Sequence, residues 1–153
     1  MGLAQILWAT GDWDGAIEHA QEMLRLNPGD NQGVRYPLML WLLETERAED
    51  LEALFEEYSD DAMADGLYPR VLFAFRLYGD SRQTRAILKE AIKWNPHVPD
   101  CLLGRRRPSR SMSEYVAVGG EDEAANHALA ALPLWRKTPG ALEWLAEMAE
   151  KHL

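Results

Sequence analysis

Two Asn-Pro pairs stand at equivalent places in this chain. The sequence "RLNPGD" occupies residues 25–30, and "KWNPHV" occupies residues 93–98. Pro28 and Pro96 lie 68 residues apart, which is twice 34. A period of about 34 residues is typical of repeat proteins in which each unit is a pair of helices. The spacing therefore predicts that the second Asn-Pro pair ends a further copy of one structural unit.

A Gly-Asp pair precedes each Asn-Pro pair at the same distance. Gly11 lies 17 residues before Pro28, Gly79 lies 17 residues before Pro96, and Asp12 and Asp80 follow the two glycines. Glycine permits the tight turn that ends one helix, aspartate caps the next helix, and proline cannot continue that helix once it is complete. Each copy is therefore predicted to hold a Gly-Asp turn followed by an amphipathic helix.

Hydrophobic periodicity predicts an all-α fold. The segments 15–27 and 82–95 place apolar residues at the i, i+3, i+4 and i+7 positions of a helix. Alternation with a period of two is not sustained, and no β-hairpin turn sequence joins two strand-like runs. Residues 36–58 form a degenerate middle copy with a break at Thr45–Arg47. The predicted helices cover residues 3–10, 14–26, about 33–44, 47–58, 67–78 and 81–94, arranged as three antiparallel pairs.

Residues 1–96 resemble the tetratricopeptide repeat family. The segment "GDWDGAIEHAQEMLRLNP" is similar to the family's Gly-Asp-Tyr-x-x-Ala-Ile…Pro pattern. The matching positions are Gly11, Ala16, Ala20 and Pro28 in the first unit, Leu51, Phe55 and Tyr58 in the second, and Gly79, Thr84, Leu88, Ala91 and Pro96 in the third. The second unit lacks the glycine and the proline. The resemblance implies a helical solenoid of about three helix pairs.

Residues 97–153 are similar to the last segment of bacterial tetratricopeptide-like proteins, a segment that also occurs in the suppressor-of-tumorigenicity-seven family. The shared pattern comprises Asn95–Pro99, Leu102–Leu103, Arg105–Pro108, Gly120–Ala124, Trp135 and Gly140–Leu142. This resemblance implies an interaction or scaffolding role and carries no catalytic activity. We expect this segment to form a loop and helices that pack on the same core and cap the open end of the solenoid.

The residues of the C-terminal segment also predict helices on their own. Gly119–Gly120 breaks the chain, and the acidic residues that follow favour a helix N-terminus. Pro133 is expected to kink or shorten that helix. Pro139 is expected at the first position of a final helix over about Pro139–Lys151. Its predicted apolar stripe consists of Leu142, Leu145, Ala146 and Met148–Ala149.

The tetratricopeptide resemblance places candidate partner-binding residues on the first helix of each pair, which lines the concave groove in that family. These residues are Gln5, Trp8, Tyr36, Leu40, Leu43, Phe73 and Arg76. Aromatic and arginine side chains are suited to anchoring a peptide. The alternative is that the same residues are ordinary core contacts. Arg76 is the best single candidate, because packing alone does not explain a charge at that position.

Composition and charge favour a protein partner in the cytoplasm. The net charge of −9 disfavours nucleic acid, whose binding relies on Lys and Arg. The single cysteine, Cys101, suits a reducing compartment, and the N-terminus does not resemble a signal peptide. The chain has no apolar run long enough to span a membrane. We therefore expect a soluble cytoplasmic protein that contacts neither nucleic acid nor membrane.

Two charged segments allow more than one interpretation. From Glu44 to Asp65 there are ten acidic residues and one arginine. This stretch would favour a basic partner, although a solvated helix face is the preferred interpretation. The segment "RRRPSR" contains Arg105, Arg106, Arg107 and Arg110. It could bind a phosphate or an acidic peptide, and the preferred interpretation is that it docks on the acidic middle unit of the same chain.

Metal and catalytic motifs are weak. His97 and Cys101 are four residues apart and would share one face of a helix. Two ligands do not make a closed zinc site, and a structural histidine beside a thiol is the preferred interpretation. The chain has no nucleophile elbow, phosphate-binding loop or His-Glu-x-x-His motif. We therefore predict neither an enzyme nor a cofactor, and a metal-dependent accessory domain using His97 and Cys101 stays an alternative.

The sequence thus predicts a protein-interaction or scaffolding module that binds a partner peptide or protein. In the family's pattern the first helix would begin before Met1, which suggests a longer native protein or a late start, although a short first helix is the alternative. Leu3, Ile6 and Leu7 would then lie near an uncovered edge. A second alternative function is self-association through this edge, which would give a homodimer.

Overall fold

The computed structural model describes residues 2–105 and 118–152, without the side chain of His152. All regular structure in these residues is helical, and no strand occurs among them. The prediction of an all-α protein is confirmed. The chain divides between Ser59 and Asp60 into two compact units, the N-terminal unit and the C-terminal unit. The boundary suggested by the sequence pattern, at residue 96, lies inside the second of these units.

The N-terminal unit contains four helices. They are α1 (Gly2–Ala9), α2 (Trp13–Leu26), α3 (Arg35–Glu44) and α4 (Ala48–Glu57). α1 packs on α2, α2 on α3, and α3 on α4. The interior contains Ala16, Ile17, Ala20 and Leu24 of the predicted α2 face, together with Leu38, Met39, Leu42 and Leu51.

The C-terminal unit contains the remaining helices that the structure describes. They are α5 (Ala64–Tyr78), α6 (Arg82–Trp94), α7 (Val98–Leu102), α8 (Glu121–Lys137) and α9 (Ala141–His152). α5 packs against both α6 and α8, and α7 contacts α8 and α9. The helices after residue 97 therefore share a core with α5. Trp135, Tyr68, Leu72, Leu88, Leu145 and Met148 are its largest buried side chains.

The turn between α1 and α2 and the turn between α3 and α4 have the same hydrogen-bond pattern. In the first turn the amides of Gly11 and Asp12 donate to the carbonyls three and five residues earlier, those of Trp8 and Leu7. In the second turn the amides of Glu46 and Arg47 donate in the same way to Leu43 and Leu42. These are the two hydrogen bonds of the Schellman motif. The α3–α4 turn therefore has the same hydrogen-bond geometry as the α1–α2 turn, although it lacks the glycine.

A residue with positive φ lies in each turn, as the Gly-Asp pattern predicted. Gly11 has a φ of +93° and Gly79 a φ of +60°, and Glu46 occupies the same place in the middle copy with a φ of +57°. Glycine reaches this region of backbone space without the clash that a Cβ atom causes. The α3–α4 turn therefore has the same shape, but its positive φ belongs to Glu46, whose Cβ atom makes this conformation strained.

The predicted capping residue is right in one copy and wrong in another. The Asp12 side chain accepts a 3.0 Å hydrogen bond from the Gly15 amide at the start of α2. Asp80 does not cap α6, because that helix begins one residue later relative to its glycine, and Ser81 accepts from the Thr84 amide instead. Asp80 bonds to Arg85 and Trp144.

Neither Pro133 nor Pro139 in the C-terminal segment sets a helix boundary as the sequence predicted. Pro133 does not shorten α8, which continues to Lys137. Pro133 is exposed, so the carbonyl that lacks its hydrogen bond lies on the solvent side of the helix. Pro139 is not the first residue of α9, because the first helical hydrogen bond runs from the Trp144 amide to the Gly140 carbonyl and the helix begins at Ala141.

Candidate functional site

Three tryptophans of the N-terminal unit stack on one another. The ring centroids of Trp8 and Trp13 are 5.1 Å apart with planes inclined by 22°. The centroids of Trp8 and Trp41 are 5.0 Å apart with planes inclined by 9°. Trp41 is 8% exposed, whereas Trp13 is 45% exposed at the outer end. We call these three residues the tryptophan ladder. It runs from the core of the N-terminal unit to its surface.

Stacking on Trp8 and the capped start of α2 fix the position of Trp13. Trp13 is the first residue of α2, where Asp12 caps the helix. The adjacent helix α1 supplies Trp8, and α3 supplies Trp41. Offset-stacked aromatic pairs contribute about 0.5–1.5 kcal/mol beyond the area that they bury. An exposed indole fixed in this way loses little side-chain freedom when a partner packs against it.

The five sequence-predicted residues of the N-terminal unit differ in their accessibility. Gln5 is exposed, and Trp8 is half-buried within the ladder. Tyr36 and Leu40 are half-buried on α3, and Leu43 is 2% exposed. Leu43 is therefore a core residue that a partner does not reach. Gln5 is the exposed one of these residues, and Trp8 stacks on the exposed Trp13.

Tyr36 belongs to a polar cluster at the start of α3. The buried carboxylate of Asp30 accepts hydrogen bonds from the amides of Val34 and Arg35 at 2.7 and 3.0 Å. The Arg35 guanidinium pairs with the same carboxylate at 2.9 Å. It also lies 4.4 Å from the centre of the Tyr36 ring and 4.9 Å from that of Tyr58. This cluster fixes the entry to α3, which explains Tyr36 without a ligand.

The net charge of the chain is concentrated in the N-terminal unit. Residues 1–59 contain 12 acidic and three basic residues, whereas residues 60–153 contain 13 of each. The whole formal charge of −9 therefore belongs to the segment that carries the tryptophan ladder. Asp12 and Asp14 flank Trp13, and both are exposed. A cationic partner would be attracted to this unit at long range.

An open groove lies where α2, α3 and α4 meet. It has a volume of about 300 Å³ and an apolar floor that includes Leu24, Leu38, Leu42 and Leu54. Gln21, Arg25, Asp50 and Glu57 lie at its rim. The rim arginine already pairs with Glu22, and Asp50 pairs with Arg47. The groove is a second surface of the same unit where an apolar side chain could bind.

In the C-terminal unit, the structure gives the predicted residue Arg76 an intramolecular role. Its Nε donates a 2.9 Å hydrogen bond to the hydroxyl of Thr138, which in turn donates to the Leu134 carbonyl at 2.9 Å. Arg76 and Phe73 are both half-buried. The charge of Arg76 therefore does have a structural explanation, since it ties α5 to the end of α8.

The C-terminal unit also contains a buried polar ring. The Tyr68 hydroxyl donates to the Asn95 carbonyl at 2.7 Å, and the Asn95 side-chain amide donates to Glu123 Oε1 at 2.8 Å. His127 Nδ1 lies 2.8 Å from Asp65 Oδ1, and its ring is 5.7 Å from that of Tyr68. Burial, with a smaller contribution from the Glu123 carboxylate, raises the pKa of the Tyr68 phenol far above its ordinary value.

The other sequence candidates do not form a site in the described residues. His97 precedes the five-residue helix α7 that contains Cys101. Among the described residues, no group of three or more His, Cys, Asp or Glu side chains could hold a metal ion. Arg105 pairs with Glu150 at 3.8 Å, and Arg106, Arg107 and Arg110 lie outside the described residues. No described helix has both the length and the apolar character needed to cross a bilayer.

Sequence reasoning missed two members of the ladder and the whole polar ring. The missed members are Trp13 and Trp41. The Gly11 turn separates Trp13 from the predicted residue Trp8, so no helical spacing relates the two. Asp65 and His127 are 62 residues apart. The sequence did point to one member of the polar ring, Asn95, because its Asn-Pro pair is part of the 68-residue spacing.

No family model, curated protein or solved structure matches this chain. A proposal about the function therefore rests on the surfaces of the chain itself.

Proposed function

We propose that this protein is an interaction module that binds a segment of a partner protein, and that Trp13 on the tryptophan ladder is the anchor of the binding surface. The observation that carries the proposal is an indole 45% exposed at the end of a stack that reaches the core. Tryptophan is the residue most enriched among those that dominate interface energetics. Trp8 and Gln5 on α1 are the sequence-predicted residues included in this surface.

The charge of the N-terminal unit selects the chemistry of the partner. A surface with 12 acidic and three basic residues attracts a segment rich in arginine or lysine. A guanidinium can also stack on the free face of an indole, an interaction of about 0.5–2 kcal/mol. The proposed ligand is therefore a basic peptide segment with at least one arginine that packs on Trp13.

A tetratricopeptide-like arrangement of the helix pairs is part of this proposal. It is supported by the pairs α1–α2, α3–α4 and α5–α6 and by the two matching turns 35 residues apart. Modules of this kind act by presenting helix surfaces to peptides rather than by catalysis.

The proposal is tested by selecting random peptides on the purified protein from a displayed library and measuring their affinities by fluorescence anisotropy. We expect the selected peptides to be rich in arginine and to bind less tightly as the salt concentration rises. Trp13→Ala should weaken binding about 30-fold, since an anchor tryptophan contributes about 2 kcal/mol.

Trp94→Ala is the matched control, because Trp94 is 44% exposed in the C-terminal unit, far along the chain from the ladder. Equal affinity of the wild type and Trp13→Ala would move the binding surface elsewhere on the molecule. A library that yields no specific peptide would overturn the peptide-binding function itself, and selected peptides without basic residues would overturn the assigned partner chemistry.

Self-association is a second candidate function, and one observation favours it. Leu3 and Ile6 lie one turn apart on α1 and are 55% and 59% exposed. Apolar area left in water costs about 25 cal/mol per Å², and pairing with a second copy of the chain would remove that cost. This apolar edge lies on the same short helix as Trp8 but is distinct from the ladder.

A further inference from the structure

Two buried polar atoms in the C-terminal unit lack a hydrogen-bond partner within the described part of the chain. They are Oε2 of Glu123 and Nε2 of His127. Glu123 is 2% exposed and His127 is 1% exposed, so bulk water does not reach either side chain. A buried polar atom without a partner costs about 1–3 kcal/mol, and more when the group is charged. Two such atoms on one helix therefore need partners that the surrounding described side chains do not supply.

The two unpaired atoms belong to neighbouring side chains on one face of α8. Glu123 and His127 are four residues apart, so their Cβ atoms are about 5–6 Å from each other. A ring of contacts encloses them, because Tyr68 contacts the His127 ring and also bonds to Asn95, which bonds to Glu123. One chain of contacts through Tyr68 and Asn95 therefore connects the two side chains between α5, the Asn95 turn and α8.

The polar groups next to these two atoms are already engaged in other hydrogen bonds. Oε1 of Glu123 already accepts hydrogen bonds from Asn95 and from the Gly119 amide. Nδ1 of His127 is engaged with Asp65, and the Tyr68 hydroxyl donates its proton to the Asn95 carbonyl. Oε2 of a carboxylate is an acceptor, so the molecule that satisfies it must be a donor.

We propose that a single internal water molecule bridges Glu123 Oε2 and His127 Nε2. Water donates one hydrogen to the carboxylate, and it either donates to Nε2 or accepts from it, depending on the tautomer and protonation of the ring. Two hydrogen bonds of about 2.8 Å let one water molecule join atoms up to roughly 5 Å apart. Buried waters in proteins typically satisfy polar groups of this kind.

The water would complete the connection between three parts of the C-terminal unit. Asp65 on α5 orients His127, and Asn95 orients Glu123. The bridge joins these two halves, so that the start of α8 is held to α5 and to the end of α6 through one continuous network. This role is independent of the binding surface in the N-terminal unit.

A crystal structure of the wild-type protein at near-atomic resolution tests the proposal. We expect one density peak at hydrogen-bonding distance from both Glu123 Oε2 and His127 Nε2. A direct hydrogen bond between the two side chains, or an empty space, would overturn it. A peak about 2.0–2.2 Å from both atoms would also overturn it, because that distance belongs to a metal ion.

A measurement in solution supplements the crystal. Oxygen-17 relaxation dispersion of water counts the long-lived internal waters of a protein. The double variant Glu123→Met, His127→Leu replaces both polar side chains by apolar ones and should lose one such water relative to the wild type. The double variant Glu143→Met, Leu129→Gln, at two exposed positions, should lose none. An unchanged number of long-lived internal waters in the first variant would contradict the bridging water. If that variant does not fold, the wild-type crystal structure provides the test.

Discussion

The hydroxyl of Tyr68 donates a 2.7 Å hydrogen bond to the carbonyl of Asn95. In the N-terminal unit the hydroxyl of Tyr58 donates a 2.8 Å hydrogen bond to the carbonyl of Pro28. Each Asn-Pro turn is thus held by a tyrosine of its own unit, from α5 in the case of Tyr68 and from the residue after α4 in the case of Tyr58. The two bonds differ in burial, because Asn95 is fully buried whereas Pro28 is exposed.

This difference predicts unequal effects of removing the two hydroxyls. Tyr68→Phe leaves the buried Asn95 carbonyl without a donor and should lower the free energy of unfolding by about 1–3 kcal/mol. Tyr58→Phe should cost less than about 1 kcal/mol, because water can reach the Pro28 carbonyl. Denaturant titrations of the two variants compare them directly. Equal decreases in the free energy of unfolding of the two variants would show that burial does not determine how much each tyrosine hydrogen bond stabilises the fold.

The strained turn of the middle copy predicts a stabilising substitution. Glu46 is exposed and has a φ of +57°, where a residue with a Cβ atom is strained by about 1 kcal/mol. Glu46→Gly should raise the free energy of unfolding by up to about 1 kcal/mol, because part of the gain is offset by a more flexible unfolded chain. Ala48→Gly, at the exposed first residue of α4, should instead lower it by about 0.5–1 kcal/mol. A loss of stability in both variants would contradict the strain.

The carboxylate of Asp80 predicts a loss of stability in acid. Hydrogen bonds from Arg85 and, secondarily, from Trp144 lower its pKa to about 2. Because the folded pKa lies below the unfolded value of 3.8, the contribution of Asp80 is fully present above about pH 4 and is lost as the pH falls towards 2. The difference in unfolding free energy between the wild type and Asp80→Asn should shrink over this interval. A difference that is constant from pH 5 to pH 2 would exclude this contribution.

The apolar edge of α1 predicts concentration-dependent association. Ile6→Gln should shift the sedimentation equilibrium towards the monomer, since it removes exposed apolar area from the proposed contact. Leu129→Gln is the control, because Leu129 is 66% exposed on α8 and belongs to the C-terminal unit. A wild type that sediments as a monomer at every concentration would rule out self-association through this edge.

The sequence by itself determined the helices and the turns between them. Apolar residues at helical spacing and the punctuation by glycine and proline act over a few residues, so they can be recognised without the tertiary structure. Five of the six helices predicted in residues 1–96 agree with the structure to within two residues at each end, and α5 begins three residues early, at Ala64. The 68-residue spacing also relates two glycines with positive φ, Gly11 and Gly79, although the Gly79 amide donates to the carbonyl four residues earlier and the Gly11 amide to the carbonyl three residues earlier.

Only the tertiary structure decided what each motif does. Asn27 and Asn95 occupy the same place in the pattern, yet Asn27 is exposed and Asn95 is buried beneath the start of α8. The tryptophan ladder depends on a turn between Trp8 and Trp13 and on the position of α3, and the Asp65–His127 pair joins residues 62 apart. The physical reason is that burial and long-range hydrogen bonds depend on which helices pack together, whereas helical spacing is local. The same dipeptide can therefore end a helix at the surface in one copy and organise a buried polar ring in another.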